Sequence, residues 1–326
     1  MAAAKIINLN EIKQQKLINI NNLMDDFIEY NIKLNKSEKT ILTYKKEISL
    51  FLKQYNIYDT EQLKILEDIE FLKNIWLNDM LKKYQPGSIN KKKNVLSVFS
   101  NYLITEDIIS VNKIKTISNI KNDVKKIEVY SEEELKKIFD YMDNKIKENN
   151  FHRKIDKQVW ILNRLIVKII YDNALRISEA VNIQMQDINL EEGNKFYIRG
   201  KGYNGNISRF NIFKSDTVKL LKDYLKIRNE IEFKTEESNH LFISPLSKSK
   251  ITDNSLRKFF KNILEELDIN YNSPIHDIRH TRATELIAKD VEVKKVSMYL
   301  GHANEKITEK YYIHQADKVM EELSEL

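Results

Sequence analysis

Four short stretches in the carboxy-terminal half hold the residue types best suited to acting on a charged oxygen. In YDNALRISEAVNI (171–183), Arg176 follows an apolar helix end and precedes a helix that carries Ser178 and Glu179. A buried guanidinium requires an anion, either a carboxylate or a phosphate. Glu179 supplies one three residues on, so an internal ion pair explains Arg176 as well as a ligand site does. In FYIRGKGYNGNISRFNIF (196–213), Lys201 stands between Gly200 and Gly202 where a hairpin would turn. A flexible lysine there can enter a site as a cation or proton donor, although lysines are ordinary at turns. In SPIHDIRHTRATELIA (273–288), His276 and Arg279 share one face at the start of a helix opened by Pro274. That pair suits an oxyanion, and a solvated helix start is the plainer alternative. In YLGHANEKITEKYYIHQ (299–315), Gly301 ends a helix, His302 follows it, and Tyr312 comes ten residues later behind Tyr311. A tyrosine near a chain end is usually a packing residue.

These stretches need a scaffold, and the rest of the chain reads as mostly helical. It has 326 residues, 42% of them hydrophobic, with only 6 glycines and 3 prolines, enough for two domains with separate cores. Helical periodicity runs from Leu23 to Leu103: Leu23, Phe27, Tyr30 and Ile32 form one apolar side, and Tyr44, Ile48, Phe51 and Leu52 the next. Thr40 is the expected cap of the second helix and Ser88 that of a third, after the Gln85-Pro-Gly break. Residues 111–127 hold five lysines without a period and read as a linker. Ser131 and Glu134 then form a capping box. Further helices are expected at Trp160–Tyr171, Asp216–Ile227, Asn254–Leu267, His276–Lys289 and Val293–Tyr299, with two strands inside 196–213. The organisation is a 1–20 extension, a helical domain over 21–110, the linker 111–127, and a helical second domain with a small antiparallel sheet over 128–326.

Charge is unevenly spread. Residues 1–127 carry 21 lysines and 15 acidic residues, a balance of +6, whereas 128–326 balance to zero and hold all nine arginines. Lysine as the sole cation of the first part suits backbone attraction to a polyanion. Lys91, Lys92 and Lys93 lie in the first turns of a helix, where the helix dipole disfavours positive charge, and are candidate phosphate contacts. A genome rich in lysine codons gives the same bias. With 0 cysteines, disulfides, thiolate metal sites and cysteine nucleophiles are excluded, and a reducing cytoplasm is the expected setting. No signal peptide or membrane span is read.

Singly, none of the four stretches decides anything, but their order does. Arg, Lys, His-x-x-Arg, Leu-Gly-His and a near-terminal Tyr resemble the tyrosine recombinase (phage integrase) family. ALRISEA is similar to its first arginine box, and HDIRHTRAT with LGH and the tyrosine to its second. TILTYKKEISLFL (40–52) and SINKKKNVLSVFSNYL (88–103) resemble, more loosely, its core-binding domain. The resemblance implies a SAM-like helical core-binding domain and a tyrosine-recombinase catalytic domain. It makes Tyr312 the nucleophile, chosen over Tyr311 because the following Ile-His resembles the common Tyr-Thr-His. Arg176, Arg279 and His302 would hold the scissile phosphate, Lys201 protonate the leaving oxygen, His276 assist the tyrosine and Glu179 steady the site. Ala174, where glycine is common, and Arg282, where an apolar residue is common, depart from the pattern.

The resemblance further implies strand cleavage through a 3′-phosphotyrosine and a Holliday junction, with no cofactor or metal. Its partners would be a double-stranded recombination site, three further protomers in a tetramer on two sites, and an accessory DNA translocase or directionality factor. The helical spacing of Ala316, Val319, Met320 and Leu323 suits docking on a neighbouring protomer or on their own domain. A core-binding region starting near Leu23 leaves no room for a separate arm-binding domain, which favours an Xer-like resolver of chromosome dimers. A mobile-element integrase, a type IB topoisomerase-like enzyme and a catalytically dead DNA-binding regulator are the rival expectations.

Overall fold

The computed structural model describes residues 19–121, 128–148, 151, 153–199 and 207–301. The chain divides into two compact units, residues 1–125 and 126–326. Among the described residues no helix is long and apolar enough to cross a membrane.

In the first unit, α1 (Ile20–Lys33) buries Leu23, Met24 and Phe27, while Tyr30 and Ile32 remain 42% and 55% exposed, so the apolar stripe is narrower than expected. The second helix, α2 (Glu38–Gln54), is capped by Ser37, not Thr40: the Thr40 N–H donates to Ser37 Oγ at 3.3 Å. A π-helical turn (Phe71–Leu77) leads into α3 (Asn78–Lys83) and then α4 (Pro86–Thr105). Pro86 occupies the first turn of α4, where its missing N–H costs nothing, and this starts the helix ahead of the expected Ser88 cap. Phe27 and Phe99 meet edge to face with centroids 5.2 Å apart and close the core.

The expected linker is only partly one. Ile114 and Ile117 are buried in the first core. One side of α4 binds this stretch: Asn112 Nδ2 donates to the Ser97 carbonyl at 2.9 Å, and the Asn90 side chain pairs with both main-chain groups of Ile120 at 2.8 and 2.9 Å. Lys93 belongs to the same strap. Its ammonium is turned inward onto the Ile117 carbonyl (2.8 Å) and Asn119 Oδ1 (2.5 Å), which removes it from the candidate phosphate contacts. Lys92 is paired with Glu47 and lies over the Tyr84 ring, and Lys91 alone of the three is exposed. Lys93→Ala would strand the Ile117 carbonyl and is expected to cost about 1–3 kcal/mol. Lys91→Ala should stay within about 0.5 kcal/mol. Urea unfolding followed through Trp76 checks this, and equal midpoints for the two variants would contradict the strap.

In the second unit, α5 (Glu132–Lys147) opens with the Ser131–Glu134 capping box, the reciprocal bonds measuring 2.8 and 3.1 Å. The central helix α6 (Lys154–Asn173) buries Leu162, Leu165, Ile166, Ile169 and Ile170, and α5 and the later helices over Ser215–Glu230 and Pro274–Ala288 pack around it. Short α7 (Ile177–Val181) follows. A three-stranded antiparallel sheet comes next, in the order β1 (Ile188–Asn189), β2 (Lys195–Arg199), β3 (Ile207–Ile212). Helices α8 (Ser215–Glu230), α9 (Asp253–Glu266), α10 (Pro274–Ala288) and α11 (Val293–Leu300) complete the unit. The fold is mainly α with one small sheet, as expected.

Candidate active site

Helix α6 stops at Ala174, which adopts the left-handed conformation (φ 47°, ψ 41°) that glycine takes most easily. Buried Leu175 then anchors the turn, and Arg176 sits extended (φ −69°, ψ 145°) at the start of α7. Glu179, one turn on, accepts the Arg176 N–H at 2.8 Å through Oε2 and Arg176 Nη1 at 2.8 Å through Oε1. The internal ion pair foreseen for Arg176 is therefore present, and it is only part of the site.

Two more guanidinium groups reach the same carboxylate. Arg279 comes from α10, 2% exposed, with Nη1 3.5 Å from Glu179 Oε2. Arg209 comes from β3 and spans both oxygens, Nη1 to Oε1 at 3.3 Å and Nη2 to Oε2 at 3.0 Å. Burial pushes the Glu179 carboxyl up. The hydrogen bond and charge of Arg209, the Arg176 N–H and the charge of Arg279 outweigh that and hold it below its ordinary value. Glu179 is thus ionised and contributes stability above its unfolded pKa, which is lost as pH falls through the lower folded value.

The cluster faces the turn after α11. Arg279 Nη2 donates to the Leu300 carbonyl at 2.8 Å, and Arg176 Nη1 and Nη2 both lie 3.4 Å from the Gly301 carbonyl. Gly301 has φ 64°, which favours glycine, and a Cβ there would fall 2.1 Å from Arg209 Nη1 and so would displace that guanidinium. Helix α11 is held from behind. The Tyr299 hydroxyl donates to the Asp172 carbonyl at 2.6 Å, and Leu300 and Val296 pack on Ala174 and Ala283. Helix α10 is tied to Tyr130 at its middle and its start: the Tyr130 N–H donates to Thr281 Oγ1 at 2.8 Å, and its hydroxyl to the Pro274 carbonyl at 3.0 Å.

His276 lies on the same helix at an exposed edge, its ring 4.4 Å from that of His280. Partial desolvation, then the charges of Arg279, Arg176 and Arg257, hold its pKa below the ordinary histidine value. The imidazole is consequently neutral at physiological pH and able to accept a proton. Its protonation is disfavoured in the fold, so this group withdraws stability as pH falls below its unfolded pKa.

Of the residues singled out in the sequence, Arg176, Glu179 and Arg279 come together, with His276 alongside. Lys201, His302, Tyr311 and Tyr312 lie outside the described residues. One site residue escaped the sequence reading, Arg209 of β3. The signal for Arg209 was an inverted strand. In β3, Phe210 and Ile212 are 55% and 54% exposed while Asn211 is buried, so polar side chains face inward and bind groups at the end of α6.

A model of the Phage integrase family matches residues 128–318. A tyrosine recombinase of Agathobacter rectalis is 27% identical over 299 residues, 90% of this chain and 92% of the relative. Tyrosine recombinase XerC of Anoxybacillus flavithermus is 26% identical over 297 residues, 90% and 93% of the two chains. The fold is similar to that of lambda integrase, solved as a tetramer bound to a Holliday junction (TM-score 0.64, 16% identity, 95% of this chain and 82% of that one).

Proposed function

Because the chain belongs to the phage integrase family and is a tyrosine recombinase, we propose that it exchanges strands at specific DNA sites through a 3′-phosphotyrosine intermediate. The observation that carries this reading is the convergence of Arg176 and Arg279 on one ionised carboxylate, beside the turn that precedes His302. Guanidinium groups fixed before substrate arrives stabilise charge that builds on the non-bridging oxygens, and they do so more in the transition state than in the ground state. In this reading the Tyr312 oxygen attacks phosphorus, and neutral His276 takes its proton. The bond to the 5′ oxygen breaks, and Lys201 delivers a proton to that oxygen. The phosphodiester is kept as the phosphotyrosine ester, so attack by a 5′ hydroxyl of a second duplex rejoins the strands without nucleotide hydrolysis.

Four protomers would act on two sites through a Holliday junction, in the cytoplasm, with the lysine-rich first unit supplying backbone grip and exposed Lys91 among its contacts. Resolution of chromosome dimers is the reading favoured by the XerC relative. Integration of a mobile element is the second reading, compatible with the phage integrase family match. An accessory translocase would accompany the first role and a directionality factor the second.

The test uses a nicked suicide duplex whose site is recovered by selecting bound DNA from a random-sequence pool. The wild-type protein is expected to form a covalent adduct on it, and absence of any adduct overturns the reading. Lys201→Ala is expected to slow this cleavage and to recover when the 5′ bridging oxygen is replaced by sulfur, whose thiolate leaves without a proton. A variant equally slow on both substrates would rule out the acid role.

A further inference from the structure

The roles carried over from the family leave Arg209 without one, yet its side chain alone contacts both oxygens of Glu179. Its guanidinium covers both carboxylate oxygens, whereas Arg176 reaches one of them with its side chain and Arg279 stands off at 3.5 Å. Its side chain is 13% exposed. It also underlies the Gly301 turn so closely that a Cβ there would displace it. Its strand is tied to the scaffold at a second point, where Asn211 Nδ2 lies 3.3 Å from Asn173 Oδ1 at the end of α6. Arg209 is therefore held in place against the carboxylate.

We propose that Arg209 is a positioning residue of the phosphate pocket: it locks Glu179 in one orientation and thereby sets Arg176 and Arg279 for the scissile phosphate. Without it, Glu179 would be tied to Arg176 through the main-chain N–H and Nη1, with no partner bracing the carboxylate from the sheet side. Bidentate pairing from β3 adds that brace, and only a planar fork can supply it. The strong Arg209 charge also keeps Glu179 ionised despite burial. A displaced Arg176 or Arg279 would weaken transition-state binding far more than duplex binding, which many backbone contacts share.

The proposal rests on the recombinase reading, and its test separates the two. Single-turnover cleavage of the selected suicide duplex is measured for the wild type, Arg209→Met, Arg209→Lys, Glu179→Gln and the double variant Glu179→Gln/Arg209→Met, with duplex affinity measured in parallel. A wild type that forms no adduct overturns the recombinase reading, not this one. With an active wild type, Arg209→Met is expected to cleave about 100-fold slower at unchanged affinity, the scale for loss of one preorganised donor. Arg209→Lys, which keeps the charge but not the fork, should fall between the two. In the Glu179→Gln background the further loss on removing Arg209 should shrink to under about 10-fold, since residues acting through one another are not additive. A wild-type rate for Arg209→Met or Arg209→Lys, or fully additive losses, would reduce the ion pair to a structural tie and overturn the proposal. If Arg209→Met does not fold, the Arg209→Lys rate decides alone.

Discussion

Exchanging Tyr312 for phenylalanine is expected to abolish covalent attachment to the suicide duplex while leaving duplex binding intact. The substitution removes one oxygen and nothing that grips a phosphate or a groove. Loss of a nucleophile is among the largest single effects in catalysis, on the order of 10⁴-fold or more. A phenol with pKa ~10 is a poor nucleophile at neutral pH unless its proton is taken and its charge is welcomed. In the proposed mechanism neutral His276 would take the proton and the guanidinium cluster would meet the charge. Tyr311→Phe serves as the paired control and should still form adduct. If the two variants exchange behaviour, Tyr311 is the nucleophile and the reading of the Ile-His that follows Tyr312 fails.

Glu179→Gln is expected to damage both stability and cleavage. Arg279 is almost fully buried and Arg209 nearly so, and both would lose their shared counter-charge. Removing one member of a buried ion pair costs about 3–5 kcal/mol, because the remaining charge stays desolvated. Arg176, 40% exposed, adds little to that cost. For a unit of this size the melting temperature should fall by roughly 2–4 °C per kcal/mol. The variant should also lose less stability than the wild type on acidification below the ordinary carboxylate pKa, since it has no Glu179 charge left to lose. Thermal unfolding followed through Trp160 at several pH values reads both effects. Parallel pH curves would mean that Glu179 is not the ionised centre of the cluster.

What could be read in advance was what lies close together in the chain. The Ser131–Glu134 box and the Arg176–Glu179 pair are three residues apart, and one helical turn fixes their geometry. Arg209 was missed because it meets Glu179 across 30 residues of sequence, from a strand whose apolar residues face outward. Lys91, Lys92 and Lys93 look alike in sequence. Only packing against Ile117 and Glu47 separates an exposed cation from a buried anchor and a paired one. Ser37 and Thr40 are equally good caps by type, and the choice depends on where the backbone first turns helical. The departure at Ala174 is a residue in the left-handed region, held there by packing on Ala283, Val296 and Leu300.

The most direct test of the central claim is the chemical identity of the adduct. Wild-type protein trapped on the suicide duplex, digested with nuclease and trypsin, should yield a nucleotide-bearing peptide spanning Tyr311–Lys318. Its fragment ions should place a 3′-phosphate ester on Tyr312, with the cleaved strand ending in a free 5′ hydroxyl. An adduct on any other residue, or one joined through a 5′ phosphate, would contradict the account.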